Sequence, residues 1–224
     1  MIKIDFIDKE PKNFESGTTA EDIVKNTYGR KSGAVAVLIE NVEYDLSYKI
    51  TESCKINLIK DDSEEGLYII RHSCAHLLAQ AVTELFPNAK PTIGPPVDDG
   101  FYYDFSMDPI NDDDLRKIEK KMRELVKKNI SIIKEQHDNS TLRKMFSKNE
   151  FKIEIIDDKI GNEVGSTAYR QGDFVDLCKG PHVSSTSKLQ WFKLTSTSQA
   201  YWKADAKRES LVRIYGMCYA NKSD

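Results

Sequence analysis

Between Leu67 and Pro87 apolar residues recur at helical spacing: Leu67, Ile70, Leu77, Leu78, Ala81, Val82 and Leu85. This spacing predicts one long helix that stops at the proline. His72 and His76 lie four residues apart within it, one turn apart on a single face. Any fold for this chain has to accommodate that helix, and with it two imidazoles on one side.

The segment before the helix reads as a small unit over residues 1–61. Ile2, Ile4 and Phe6 alternate with Lys3 and Asp5, the period of a half-buried strand. Thr19 to Asp22 opens a short helix with Ala20, Ile23 and Val24 as its apolar stripe and Gly29 at its end. Ala34–Ile39 is a dense apolar run suited to a central strand, Glu40-Asn41 suits a turn, and Cys54–Ile59 alternates again. Strands enclosing one helix suggest a sheet wrapped over it, as in ubiquitin-like folds. The polar run Asp61–Gly66 is the expected boundary.

Beyond the long helix, residues 62–224 read as a larger α+β domain with antiparallel sheet. Pro91, Gly94, Pro95, Pro96 and Gly100 precede an aromatic strand, Phe101–Phe105. An amphipathic helix is expected from Asp112 to about Lys128, on a stripe of Leu115, Ile118, Met122, Leu125 and Val126. Strands are expected at Phe151–Ile156, Phe174–Cys178, Phe192–Thr195 and Leu211–Tyr215, so that Lys152 by itself reads as a solvated strand lysine.

Net charge of -3 and a pI near 5.9 leave no global attraction for nucleic acid, so an RNA-binding face has to be a local basic patch. Tyr201, Trp202, Lys203, Lys207, Arg208 and Arg213 interleave aromatic and basic groups in a way that suits either such a patch or a solvated hairpin. Tyr102 and Tyr103 similarly suit base stacking or a core strand. Cys54, Cys74, Cys178 and Cys218 lack compact disulfide spacing and are expected to be reduced thiols. Met1-Ile-Lys-Ile-Asp reads directly as structure, and no apolar run approaches a membrane span. A cytoplasmic location is expected, with no membrane partner.

The chemistry concentrates in His72-x-x-x-His76 and Cys178-x-x-x-His182. Four ligand-type groups in two such pairs fit a zinc site. They equally fit a water-handling site, since neutral imidazoles accept protons near neutral pH, or a Cys178–His nucleophilic dyad, if the thiol pKa is lowered. Gly180-Pro181 argues against a helix there and would place His182 on a tight turn at a cleft rim. Asp176 and Cys178, two residues apart on a strand, face the same way.

The motifs His72–Val82, Gly94–Asp104, Phe174–His182, and Ala200–Asp205 leading to Arg213–Gly216 resemble, in order, the amino-terminal half of bacterial-type threonyl-tRNA synthetases. The resemblance implies a β-grasp TGS domain at 1–61 and an editing domain at 62–224 that hydrolyses Ser-tRNA(Thr), water attacking the ester to the 3′ adenosine. It implies that His72, His76, Lys152, Cys178 and His182 do the chemistry, and that Asp176, Tyr103, Gly94 and Pro95 hold the substrate. It further implies editing without a required cofactor; zinc, if bound, would sit on His72, His76, Cys178 and His182.

The implied partners are the seryl-tRNA(Thr) 3′ end and the remainder of a synthetase that is homodimeric at full length. The chain is expected to be a fragment without aminoacylation activity rather than a free-standing editing protein. Departures from the family pattern are Lys179 and Lys203, where arginines are frequent, and Ala204, where a glycine is frequent. The rival functions are a zinc-dependent hydrolase of another ester or amide, and a non-catalytic tRNA-binding module.

Overall fold

The computed structural model describes residues 1–160 and 165–222. In the first unit, β1 (Ile2–Phe6), β2 (Lys12–Phe14), α1 (Ala20–Tyr28), β3 (Ala34–Ile39), β4 (Val42–Asp45) and β5 (Cys54–Lys60) follow in order. The strands form one sheet in the order β2-β1-β5-β3-β4. β1 and β5 run parallel and the other pairs antiparallel. Thr19 caps α1, its hydroxyl accepting from the Asp22 amide, and Gly29 ends it at φ 82°. Glu40 and Asn41 both take positive φ, 49° and 65°, the backbone a two-residue hairpin between β3 and β4 demands.

The apolar run of β3 has a direct cause. Val37 packs with Ile4, Ile23 and Ile56 on the α1 side. Ala36 and Val35 join Ile59 against the long helix, α2 (Glu64–Leu85). A strand covered on both faces has no solvent side to alternate with. The polar run Asp61–Gly66 joins β5 to α2. Ser63 caps α2, accepting from the Gly66 amide at 3.0 Å, so half of the polar run is already helix. Gly66 lies so close to the chain before it that a Cβ would stand 1.8 Å from the Lys60 carbonyl oxygen.

The second unit continues with β6 (Gly100–Ser106), α3 (Asp112–Lys128), β7 (Ile132–Asp138), α4 (Asn139–Met145), α5 (Glu150–Ile155), β8 (Gly165–Gln171), β9 (Phe174–Leu177), β10 (Trp191–Tyr201) and β11 (Ser210–Tyr219). Two antiparallel sheets result. One has the order β10-β11-β6, extended by a short pairing at Lys90–Pro91; the other is β7-β8-β9. α2 lies in the middle, against β3 and β5 of the first unit and β6, β11 and α3 of the second. Ile69, Leu77, Leu78 and Val82 form one core with Phe101, Phe105, Ile118, Met122, Leu125 and Ile214. The α+β class and antiparallel sheets expected from the sequence are present. The described helices are too short or too polar to cross a membrane.

One expectation fails. Phe151–Ile156 is not a strand: Asn149 caps a helix, its side chain accepting from the Phe151 and Lys152 amides. Alternation of Phe, Lys, Ile and Glu over six residues could not distinguish one turn and a half of helix from a strand. Of the two readings of the aromatic and basic segment, the hairpin is the one present: it spans the end of β10, the turn and the start of β11. Trp202 is buried edge-on against Phe151, with ring centroids 5.1 Å apart. Glu154 on α5 gathers Trp202 Nε1, Lys203 and Arg208, and those donors hold its carboxyl down at about 2. Lys203 also pairs with Asp158, and Arg213 grips Asp104 through two bonds of 2.7 and 2.8 Å. The segment fastens α5 to the β10–β11 hairpin. At its tip Lys203 and Ala204 stand at φ 53° and 59°, a left-handed stretch where glycine costs least.

In an open helix, replacing glycine by alanine stabilises by about 0.5–1 kcal/mol. At Gly66 the contact with Lys60 reverses that sign. The Gly66→Ala variant is expected to lose more than about 1 kcal/mol in a urea titration. A raised midpoint would show that the junction gives way instead.

Candidate hydrolytic site

Four elements converge. α2 supplies His72 and His76, β9 and the loop after it supply Asp176, Cys178 and His182, α5 supplies Lys152, and β6 supplies Tyr103. A cavity of about 340 Å³ is lined by His72, His76, Gly94, Pro95, Tyr103, Lys152, Asp176 and Cys178, together with Tyr68, Lys179 and others. The residues singled out from the sequence thus meet in one place, with one correction. His182 does not stand at the cleft rim; it is 1 % exposed and sits behind the Cys178 wall. After Gly180-Pro181 the chain is drawn inward, His182 and Val183 both bonding to Ser73 of α2.

One half of the site is neutral. The rings of His72, His76 and His182 lie with centroids 4.2 to 5.2 Å apart. Cys178 Sγ is 3.4 Å from His72 Nε2 and 3.2 Å from His182 Nε2. Burial is the main cause pushing His72 down to about 3 and His76 down to about 4. For His72 the neighbouring His76 adds to it; for His76 the attraction of Asp176 opposes burial and loses. Burial, reinforced by the other two imidazoles, holds His182 well below the usual range. Cys178 is pushed up to about 12 by burial, against a hydrogen bond from the Gly180 amide. A thiol that stays protonated is a poor nucleophile, which sets the dyad aside.

One proton assignment satisfies the chain from Ser73 through His182 and Cys178 to His72. The Ser73 hydroxyl donates to the Ile69 carbonyl at 2.8 Å and accepts from the Val183 amide and His182 Nδ1 at 3.1 and 3.0 Å. His182 Nε2 then accepts the Cys178 thiol proton, and His72 Nε2–H donates to Sγ. Along that chain, the lone pair left unused is that of His72 Nδ1.

The other half is charged. Lys152 and Asp176 are 3 % and 1 % exposed and form a buried ion pair. The Tyr103 hydroxyl donates to Asp176 Oδ2 at 2.6 Å and accepts from Lys152 at 3.2 Å. Asp176 Oδ1 also accepts the Leu177 amide. Lys152 and His76 outweigh burial and hold the Asp176 carboxyl below its ordinary value, whereas burial and Asp176 raise the Tyr103 hydroxyl well above its own. His76 Nε2, 3.6 Å from Asp176 Oδ2, joins the two halves. Gly94 is required where it is: a Cβ there would stand 2.1 Å from the Tyr103 ring. The expectation of a solvated Lys152 is therefore overturned, since helix α5 turns it into the cavity wall. Tyr102, by contrast, carries the Arg213 guanidinium 3.8 Å above its ring on the opposite face of β6.

Sequence reasoning missed Ser73, Tyr169 and Asp45. Ser73 stood inside the His72–Val82 motif; the other two carried no local signal. The donor set suits zinc chemically, with the four ligand atoms within 4.8 Å of one another. A tetrahedral zinc site needs edges of about 3.3–3.6 Å. The sulfur-to-nitrogen contacts, 3.4 and 3.2 Å, lie close to that.

Residues 167–215 match the family described as the threonyl and alanyl tRNA synthetase second additional domain. That stretch holds Asp176, Cys178 and His182; His72, His76 and Lys152 lie outside it. Whole-chain similarity covers those. The chain is 44% identical over its full length to the threonine–tRNA ligase of Ehrlichia canis (strain Jake), spanning 36% of that protein. It is 45% identical over 99% of its length to that of Legionella pneumophila (strain Corby), spanning 35%. It is 44% identical over its full length to that of Francisella philomiragia subsp. philomiragia, spanning 36%. The chain spans about a third of the length of these relatives. It is thus homologous, end to end, to a part of threonine–tRNA ligases, and it carries the second additional domain named for the threonyl and alanyl enzymes.

Proposed function

We propose that this chain removes serine from mischarged tRNA(Thr) by hydrolysing the aminoacyl ester. The observation that carries this reading is the meeting, in one cavity, of a neutral imidazole cluster with a buried Lys152–Asp176 pair. The homology to threonine–tRNA ligases supplies the substrate class. Serine lacks only one methyl of threonine, and a missing methyl gives about 1–3 kcal/mol of discrimination, so a second, hydrolytic site has a physical reason to exist.

Each group has a task in that reaction. His72, neutral and at the cavity wall, takes up or orients the proton of the attacking water. Lys152, held at the cavity wall by Asp176, stabilises negative charge developing on the carbonyl oxygen. Asp176 and Tyr103 hold that ammonium in place, and Asp176 keeps lone pairs for the seryl amino group or hydroxyl. His182 acts through Cys178, fixing the thiol beside His72, while His76 ties the cluster to Asp176. Gly94 and Pro95 bound the adenosine side. The remainder of a synthetase, which would carry the tRNA, is the natural partner, and the cytoplasm the natural site of action.

A time course with Ser-tRNA(Thr) and Thr-tRNA(Thr) side by side tests this, with loss of serine alone as the expected result. His72→Ala and Lys152→Ala should each slow deacylation at least about tenfold. Lys152→Ala also leaves Asp176 buried and unpaired, at about 3–5 kcal/mol, so its folded fraction is read by circular dichroism in the same tube. Wild-type turnover in either folded variant removes its assigned role.

The pH dependence follows from the depressed histidines. The unfolded chain protonates its histidines below about 6.5, whereas folded His76 and His72 wait until about 4 and 3. Their stability contribution is therefore full above pH 6.5 and lost as pH falls toward 4 and 3, by up to about 1.4 kcal/mol per pH unit for each. Turnover should stay flat through pH 6–8, and an inflection near 6.5 would contradict neutral, buried imidazoles.

The second reading, a zinc hydrolase, is favoured by the clustering of four ligand atoms. Zinc there would polarise the carbonyl or lower the pKa of water. Under the first reading, elemental analysis is expected to find no stoichiometric zinc and activity indifferent to chelator. Loss on chelation with recovery on added zinc would establish the alternative.

A further inference from the structure

Asp45 ends β4 in the first unit, yet both oxygens of its buried carboxylate are engaged in the second. Oδ1 accepts the backbone N–H of His182 at 2.8 Å, and Oδ2 accepts the Tyr169 hydroxyl at 2.7 Å. Tyr169, on β8 and 1 % exposed, packs edge-on against the His182 imidazole with centroids 4.4 Å apart. One carboxylate therefore fixes the main chain at His182 and also the ring that bounds its imidazole. Ser73 grips the same residue from α2. His182 meets Cys178, and Cys178 meets His72 at the cavity wall.

We propose that Asp45 is a positioning residue of the hydrolytic site, and that the first unit is a constituent of that site rather than an appended module. The proposal rests on the deacylase reading above. Its physical basis is the cost of orphaned donors. Without Asp45 the His182 amide and the Tyr169 hydroxyl are buried and unpaired, and the loop must move to find partners. A shift of His182 passes directly to Cys178 and His72, and misplacement of about 1 Å can cost as much as about 100-fold in rate. A carboxylate serves both donors at once; an asparagine offers one acceptor oxygen and turns an N–H₂ toward the second donor.

The test uses the full chain, Ser-tRNA(Thr), and the imidazole ¹⁵N resonances of His182, with those of His137 as internal control. Asp45→Ala is expected to lower kcat at least about tenfold with little change in KM and to move the His182 signals. Asp45→Asn and Tyr169→Phe, each losing one of the two bonds, should fall between it and the wild type. A general loss of folding would instead lower the active fraction and leave the folded remainder with normal kcat and unmoved His182 signals, and that result overturns the proposal. If Asp45→Ala does not fold, Asp45→Asn decides: kcat within about twofold of wild type with unmoved His182 signals refutes it. Should wild-type chain fail to deacylate Ser-tRNA(Thr), the functional reading falls alone, because the His182 resonances still report whether Asp45 holds that residue.

Discussion

Burial of the central stretch of α2, every residue from Ser73 to Val82, is the constraint on which the rest of this structure depends. The helix carries Ile69, Leu77, Leu78 and Val82 into a single core, and the sheets of both units close over it. Fully burying each such side chain is worth about 1.5–3 kcal/mol, which makes the helix the common ground of the two units. Because His72, Ser73 and His76 ride on the same helix, its apolar packing also sets where the imidazoles stand. Gly66 lets the helix begin directly against the end of β5. The junction is thereby a packed contact, and the first unit can reach the site through Asp45.

The same burial divides the site into two electrostatic halves. Histidines, each a single positive charge if protonated, cannot afford to ionise together in a low-dielectric interior, so they remain neutral. Lys152 and Asp176 are buried as deeply but neutralise one another and gain hydrogen bonds from Tyr103. A neutral acceptor for a proton and a fixed positive charge for an oxyanion are different needs, and ester hydrolysis asks for both. The arrangement keeps them adjacent, joined where His76 approaches Asp176. Around them, Glu154 draws Trp202, Lys203 and Arg208 of the β10–β11 hairpin onto α5, the helix that carries Lys152 to the wall.

Much was legible in the order of the residues. The period of the apolar positions gives α2 and α3, the dense run gives the doubly covered β3, and Glu40-Asn41 gives the hairpin, because each depends on neighbours a few residues away. The His72 and Cys178 motifs also stood out by composition, and the cavity gathers them as their pattern suggested. Lys152 was the exception. Its chemistry was known only by resemblance, and six residues of alternating polarity concealed a short helix whose cap and clamp lie at Asn149 and Glu154.

By itself, then, the sequence determined the secondary elements with a strong local period and the set of groups able to do chemistry. Only the tertiary structure decided the protonation of those groups, the burial of His182 and Lys152, and the entry of Asp45 into the site. Local periodicity reports on residues three or four apart, whereas these outcomes turn on desolvation and on contacts such as Asp45 with His182, 137 residues away along the chain. A carboxylate on an edge hairpin looks like any surface acid until the fold removes its water and leaves two donors facing it.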